Sequence, residues 1–158
     1  MQEKGEQQEK GFLNARKKAM SLLQHKDRTE WELTDRLLQA GFSEEETEDA
    51  VEYVRSFHYI DDERYALRFV EIYHTSRSIK RLKQDLYKRH VPQEYIDAAL
   101  EQISWDDSEA LEKECSKLLR QKNVSGGDEL SYEDRQKIMA KLYRRGFRIE
   151  DINRIVGL

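Results

Sequence analysis

The side chains that most often carry catalysis or bind metals are scattered along this 158-residue chain. The four histidines are His25, His58, His74 and His90, and no two of them are three or four residues apart. A zinc site on one helix needs such a pair or several cysteines, and Cys115 is the only cysteine. The sequence contains neither a Walker loop nor a G-x-G-x-x-G motif. We therefore predict no catalytic residues, no cofactor and no metal site.

Two acidic clusters have the residue types of a metal or acid–base site, but their positions favour a structural role. Asp61, Asp62 and Glu63 precede an apolar helical pattern, and Asp106-Asp107-Ser108-Glu109 repeats the arrangement 45 residues later. Carboxylates at a helix N-terminus accept hydrogen bonds from free backbone N–H groups and interact favourably with the helix dipole. We therefore expect both clusters to cap helices.

Basic side chains are concentrated in two stretches of a chain whose formal net charge is −4. That overall charge argues against a general nucleic-acid coat protein. Residues 74–90 hold six basic side chains and one acidic, residues 135–148 hold six basic and none acidic, and residues 41–63 hold nine acidic and one basic. Ten of the basic residues are candidates for contact with phosphate or with an acidic protein groove: Arg77, Lys80, Arg81, Lys88, Arg89, Lys137, Lys141, Arg144, Arg145 and Arg148.

Four of these candidates share one helix face and its exit, because Lys137, Lys141, Arg144 and Arg148 follow one another at spacings of four, three and four. Like charges at this spacing weaken a helix slightly, and no acidic side chain is interleaved. Two interpretations stay open: an ordinary solvated face, or a surface that binds phosphate or acidic protein.

The elements that must position these residues come from a repeat of about 50 residues. A segment of matching apolar positions occurs three times, as Leu37-Leu38-x2-Gly41-Phe42, Leu86-Tyr87-x2-His90-Val91 and Leu142-Tyr143-x2-Gly146-Phe147. Upstream, Cys115 falls in register with Ala19 and Ala66, which predicts a small core residue rather than a nucleophile. Apolar spacings of three and four residues predict three amphipathic helices in each copy.

Capping motifs in the sequence also predict where several helices begin and end. Thr29-x-x-Glu32 and Ser43-x-x-Glu46 are capping boxes, and Ser131-x-x-Asp134 is a weaker version. Gly41, His90 and Gly146 stand where left-handed helix ends are expected.

We therefore predict an all-α protein in which three tandem three-helix repeats form an elongated, curved array. Residues 1–13 are predicted to be a disordered polar tail, followed by an acidic repeat over residues 14–60 and basic repeats over residues 61–105 and 106–158. No apolar run exceeds three residues, which predicts no transmembrane helix and no signal segment. A single cysteine suits the reducing cytoplasm.

The chain resembles the RecX family, bacterial regulators of the RecA recombinase. The resemblance rests on Ile60-Asp61-Asp62-Glu63-Arg64-Tyr65-Ala66, Thr29-Glu30-Trp31-Glu32-Leu33-x3-Leu37, Leu86-Tyr87-Lys88-Arg89 and the three-copy plan, and it covers about residues 14–158. It implies a protein without enzymatic activity that docks along the groove of a RecA–DNA filament. It also implies inhibition of the ATPase, co-protease and strand-exchange activities of RecA, within recombinational repair and the SOS response.

We expect a cytoplasmic monomer whose partners are the RecA filament and, as a further candidate, the backbone of single- or double-stranded DNA, with no membrane partner. Two other classes remain as alternatives: a helical-repeat scaffold for another protein, and a helix-turn-helix DNA-binding protein. The second is disfavoured because the predicted sixth and ninth helices are apolar and acidic, as in Tyr95-Ile96-Asp97-Ala98 and Glu150-Asp151-Ile152.

Overall fold

The structure, a computed structural model, describes residues 2–122 and 130–157. Within these residues the chain forms nine α-helices and no strand. The helices are α1 (Gln2–His25), α2 (Glu30–Gln39), α3 (Glu44–Ser56), α4 (Asp62–Tyr73), α5 (Ile79–Lys88), α6 (Gln93–Gln102), α7 (Ser108–Gln121), α8 (Tyr132–Arg144) and α9 (Ile149–Val156). The all-α class and the three-by-three plan are therefore confirmed.

Helix starts follow the predicted caps. Thr29 and Ser43 each form a complete capping box, in which the hydroxyl accepts from the N3 backbone and the N3 glutamate accepts from the cap backbone. The Ser131 side chain accepts a hydrogen bond from the backbone N–H of Asp134, and Asp61 accepts one from Arg64. The acidic cluster at residue 61 is thus a helix cap, as predicted.

Helix ends follow the predicted left-handed positions. The backbone φ is +95° at Gly41, +57° at His90 and +99° at Gly146, at the C-terminal ends of α2, α5 and α8. Glycine adopts this region without a Cβ penalty, and histidine is among the side chains that tolerate it best.

Each group of three helices encloses its own apolar core. The first core includes Leu33, Leu37, Ala50 and Val54, the second includes Phe69, Leu82, Leu86 and Leu100, and the third includes Leu111, Cys115, Leu142 and Ile152. Leu37, Leu86 and Leu142, which the alignment of the copies places in one register, are all fully buried. Cys115 is a core residue, and burial raises the pKa of its thiol, which opposes nucleophilic reactivity.

The three cores make an extended molecule. The accessible surface is 10,971 Å², whereas a compact monomer of 18.9 kDa exposes about 8,300 Å². Extensive helix–helix packing in the described residues pairs helices of one repeat, such as α1 with α3, α4 with α6 and α8 with α9. Neighbouring repeats meet mainly through helix ends.

The first helix begins earlier than predicted. We expected a disordered tail over residues 1–13, but α1 runs from Gln2. This segment is dominated by Gln, Glu and Lys, which are good helix formers, and it contains no proline. Once the packed part of α1 has formed, each further residue adds a backbone hydrogen bond without a new nucleation cost. The polar composition of this segment correctly indicates exposed side chains, but an exposed segment can still be helical.

The two junctions between repeats use the same hydrogen bonds. Thr29 Oγ1 donates to the backbone carbonyl of Arg89 at 2.8 Å, and Ser78 Oγ donates to the carbonyl of Arg145 at 2.7 Å. Both hydroxyls also cap their own helices. The N-terminal end of α2 thus meets the C-terminal end of α5, and the N-terminal end of α5 meets the C-terminal end of α8. Together these three helices amount to about 50 Å of helix.

Two carboxylates complete the junctions. Asp62 Oδ1 accepts from the backbone N–H of Glu30 at 2.9 Å, and Asp107 Oδ2 accepts from that of Ile79 at 2.8 Å. Burial is the main cause that raises the pKa of both carboxyls above the ordinary aspartate value. The expected cap is therefore wrong for Asp107, the N-cap residue of α7, whose side chain makes no capping hydrogen bond and joins two repeats instead. Asp106 Oδ1 accepts from the backbone N–H of Ser108.

These junctions predict a contrast between two replacements. In the double variant Asp62→Asn/Asp107→Asn the amide oxygen still accepts the backbone hydrogen bond, and the buried charge is gone. We expect it to be at least as stable as the parent at pH 7. The double Ala variant leaves two backbone donors unpaired and should lose about 1–3 kcal/mol per site.

The pH dependence follows from the raised pKa. The folded protein holds these protons more tightly than the unfolded chain, so parental stability should fall, relative to the Asn variant, as pH rises from the ordinary aspartate pKa through the raised value. The two proteins should converge in acid. Urea unfolding across this range measures both effects, and an Asn variant as unstable at pH 7 as the Ala variant would contradict them.

Candidate interface for nucleic acid and protein

A buried aspartate organises the first basic stretch. Asp85 on α5 is only 7% exposed. Its carboxylate accepts from Arg77 Nη1 at 2.7 Å and from Arg81 Nε at 3.1 Å, and its backbone carbonyl accepts from Arg89 Nη1 at 2.8 Å. A buried carboxylate is strongly destabilising without its cations. Three of the ten candidate cations are therefore bound within the second repeat.

Aromatic rings hold two of the same arginines. The guanidinium carbon of Arg77 lies 3.8 Å from the ring centroid of Tyr73, and that of Arg89 lies 5.0 Å from that of Phe69. Cation–π contacts of this kind fix the planar group against its neighbour. Arg77 and Arg89 thus have structural roles, whatever else they contact.

Cations from two repeats converge on a pocket of about 290 Å³ at the second junction. Its walls include Arg77 and Arg81 from the second repeat, and Lys117 and Arg145 from the third. Asp85 pairs with the first two, and Glu114 pairs with Arg145, which leaves two net positive charges. A pocket of this size and charge suits one phosphate group.

A second groove at this junction, of about 840 Å³, is lined by both basic and acidic side chains. Lys80 and Arg148 line it beside Lys83, Arg154 and Trp105, with several carboxylates among them. The ammonium of Lys83 lies 4.8 Å from the Trp105 ring centroid. Arg148 pairs with Glu150 at 3.6 Å, and both side chains are largely exposed, so this pair contributes little stability.

The remaining four candidates are exposed cations. Lys137, Lys141 and Arg144 project from α8, and Lys88 ends α5. None of the four forms an ion pair within the part of the chain that the structure describes. Replacing them therefore removes charge and little else.

Two exposed tyrosines accompany these cations. Tyr87 is 74% exposed beside Lys88, and Tyr143 is 61% exposed beside Arg144. Aromatic rings interleaved with cations are typical of nucleic-acid and protein-binding surfaces. Sequence reasoning counted both as ordinary apolar matches between repeats and missed Lys117, which lies in a helix of balanced charge. The signal available for the tyrosines was their shared register next to a basic residue.

Two further properties of the described residues concern membranes and metal ions. None of the helices over residues 2–122 and 130–157 has the length and apolarity needed to cross a membrane. Nor do those residues contain a group of three His, Cys, Asp or Glu side chains placed to hold a metal ion.

Comparison with known proteins identifies the family. Residues 15–53, 61–100 and 106–156 match, in order, the family descriptions "RecX, first three-helix domain", "second three-helix domain" and "third three-helix domain". The Regulatory protein RecX of Caldanaerobacter subterraneus subsp. tengcongensis is 35% identical over 145 residues, which cover 91% of this chain and 70% of the relative. That of Trichlorobacter lovleyi is 34% identical over 141 residues, covering 87% of this chain and 90% of the relative.

The fold has a solved counterpart. The crystal structure of RecX from Lactobacillus salivarius superposes with a TM-score of 0.75 at 23% identity, covering 94% of this chain and 96% of that one. Three matching domains in the same order, together with relatives above 30% identity over most of their length, place the chain: it belongs to the RecX family of regulatory proteins.

Proposed function

We propose that the chain binds the RecA recombinase–DNA filament in the cytoplasm and inhibits its ATPase, co-protease and strand-exchange activities. It acts within recombinational repair and the SOS response, as a binding protein rather than an enzyme. Membership of a regulatory family supports a control function, and the charge distribution supports a target that contains both phosphate and protein.

The observation that carries the proposal is the segregation of exposed charge along an extended array. The second and third repeats present Lys88, Lys137, Lys141 and Arg144, with the phosphate-sized pocket between them. The first repeat presents an acidic α3. The helices α2, α5 and α8, which meet at their ends, together contain about 50 Å of helix. An array of this length can contact more than one subunit of a polymer, and several weak contacts then reinforce one another.

The helix-turn-helix alternative loses support from the structure. The exposed side of α6 carries Glu94, Asp97 and Glu101, which would repel DNA phosphates. The remaining alternative is a helical-repeat scaffold that binds a protein other than RecA through the same exposed charges.

RecA ATPase activity stimulated by single-stranded DNA tests the proposal. We expect the activity to fall progressively as the chain is added, because bound copies bridge neighbouring subunits of the filament. Full activity in the presence of a stoichiometric excess of the chain would overturn the proposal.

A further inference from the structure

A groove of about 720 Å³ lies between α2 and α3 of the first repeat, away from the basic residues discussed above. Its rim is acidic, and its floor consists of two apolar side chains and two threonines. The rim consists of Glu30, Glu44, Glu45, Glu48, Asp49 and Glu52, with Arg55 at one end. Thr34, Leu38, Thr47 and Val51 form the floor.

Half of the six rim carboxylates form no ion pair with a described residue. Asp49 pairs with Arg16 at 2.8 Å, and Arg55 pairs with both Glu30 and Glu52. In contrast, Glu44, Glu45 and Glu48 are exposed and form no ion pair with any described residue. Glu44, Glu48 and Glu52 follow one another at spacings of four, an arrangement that weakens a helix. The rim therefore has negative charge beyond what its ion pairs balance, although Glu44 and Glu45 also interact favourably with the dipole at the N-terminal end of α3.

The floor has features that an occupant would satisfy. Leu38 is 42% exposed, although it follows the buried Leu37. Thr47 is 2% exposed, and its hydroxyl has no hydrogen-bond partner in residues 2–122 and 130–157. A buried hydroxyl without a partner is costly, and this one lies in the wall of the groove with its oxygen enclosed.

We propose that this acidic groove is the docking site for a basic amphipathic helix of a protein partner. The apolar side of that helix lies on Leu38 and Val51, and its lysines and arginines meet Glu44, Glu45 and Glu48. A cleft between two helices with an apolar floor is a common receptor for a third amphipathic helix. The volume accommodates a few side chains.

Charge and burial select this occupant over two others. The uncompensated carboxylates repel a nucleic-acid backbone. A second copy of this chain offers the basic α8, but its apolar residues Ile138 and Leu142 are already in the core of the third repeat. These two side chains are therefore not available to lie on Leu38. That the partner belongs to the recombinase filament rests on the function proposed above, whereas the preference for a basic helix does not.

Fluorescence anisotropy with a synthetic peptide tests the groove. The probe is a labelled 16-residue amphipathic helix with Lys and Arg on one side and Leu on the other. We expect the full chain to bind it, and the variant Glu44→Gln/Glu45→Gln/Glu48→Gln to bind at least about tenfold more weakly. The control Glu63→Gln/Glu71→Gln/Glu94→Gln removes the same charge from exposed positions of the second repeat and should bind like the parent.

Three outcomes would overturn the proposal that this groove binds a basic helix. The first is equal binding of a scrambled peptide of identical composition, which would reveal attraction by charge alone. The second is equal binding by the groove variant. The third is self-association of the parent chain in sedimentation velocity that the groove variant abolishes, since the occupant would then be a second copy.

RecA ATPase inhibition separates this inference from the proposed function. A parent that inhibits while the groove variant inhibits only at about tenfold higher concentration supports a filament partner. Equal inhibition by both overturns the groove's assignment to the filament and leaves the proposed function intact. A parent that binds the peptide without inhibiting overturns the proposed function alone.

Discussion

We expect the variant Lys88→Glu/Lys137→Glu/Lys141→Glu/Arg144→Glu to bind the RecA–DNA filament at least about a hundredfold more weakly than the parent. These side chains are exposed and have no ion pairs among the described residues, so their reversal removes charge and leaves the packing intact. If all four meet phosphate, parental affinity should fall with salt at a log–log slope of about 3–4, at ~0.7–0.9 per contact. Binding measured across a salt series gives both quantities.

The choice of these four residues depends on the structure. Arg89 and Arg145 also match between the second and third repeats, but Arg89 binds the Asp85 carbonyl and Arg145 pairs with Glu114. Reversing them would disturb the fold as well as the surface. The matched control reverses four exposed lysines, three in α1 and one directly after it: Lys10, Lys17, Lys18 and Lys26. This control should bind like the parent. If the four-site variant also binds like the parent at every salt concentration, the basic stretches are an ordinary solvated surface and do not contact the filament.

The second large effect concerns stability. Leu86→Ala should lower the free energy of unfolding by about 2–5 kcal/mol, the usual range for a fully buried leucine. We expect a larger loss than for Leu37→Ala or Leu142→Ala, because the middle repeat takes part in both junctions. Urea unfolding of the three variants measures the order.

A fourth variant calibrates this series. Leu13→Ala removes a leucine that is 54% exposed on α1 and should cost well under 1 kcal/mol. Near-zero shifts for all three core leucines would show that the register between the repeats is wrong. A middle-repeat loss smaller than both terminal ones would contradict the role of the junctions.

Most of the fold was predictable because one apolar pattern occurs three times. Spacings of three and four residues located the helices, and Thr29, Ser43 and His90 marked their ends. The pattern has no information about the polar segment before residue 11, where α1 continues with exposed side chains. It also could not show that Thr29 and Ser78 each serve two helices, since their carbonyl partners lie 60 and 67 residues away.

The candidate interface was less predictable than the fold. Counting charges found the basic stretches but not the partners of each cation. Asp85 is the one acidic residue in residues 74–90, and a count of charges gives it little weight against six cations. In the structure it pairs with both Arg77 and Arg81, while Lys117 lies beside them from a different repeat. Local sequence predicts which side chains are charged, and tertiary packing decides which of them are available.

A cryo-electron microscopy reconstruction of this chain on a RecA–DNA filament would show where each repeat binds. We expect elongated density along the filament groove that contacts more than one recombinase subunit, with the second and third repeats nearest the DNA and the first repeat against protein. Density confined to the filament ends, or a first repeat that lies nearest the DNA, would contradict this expectation.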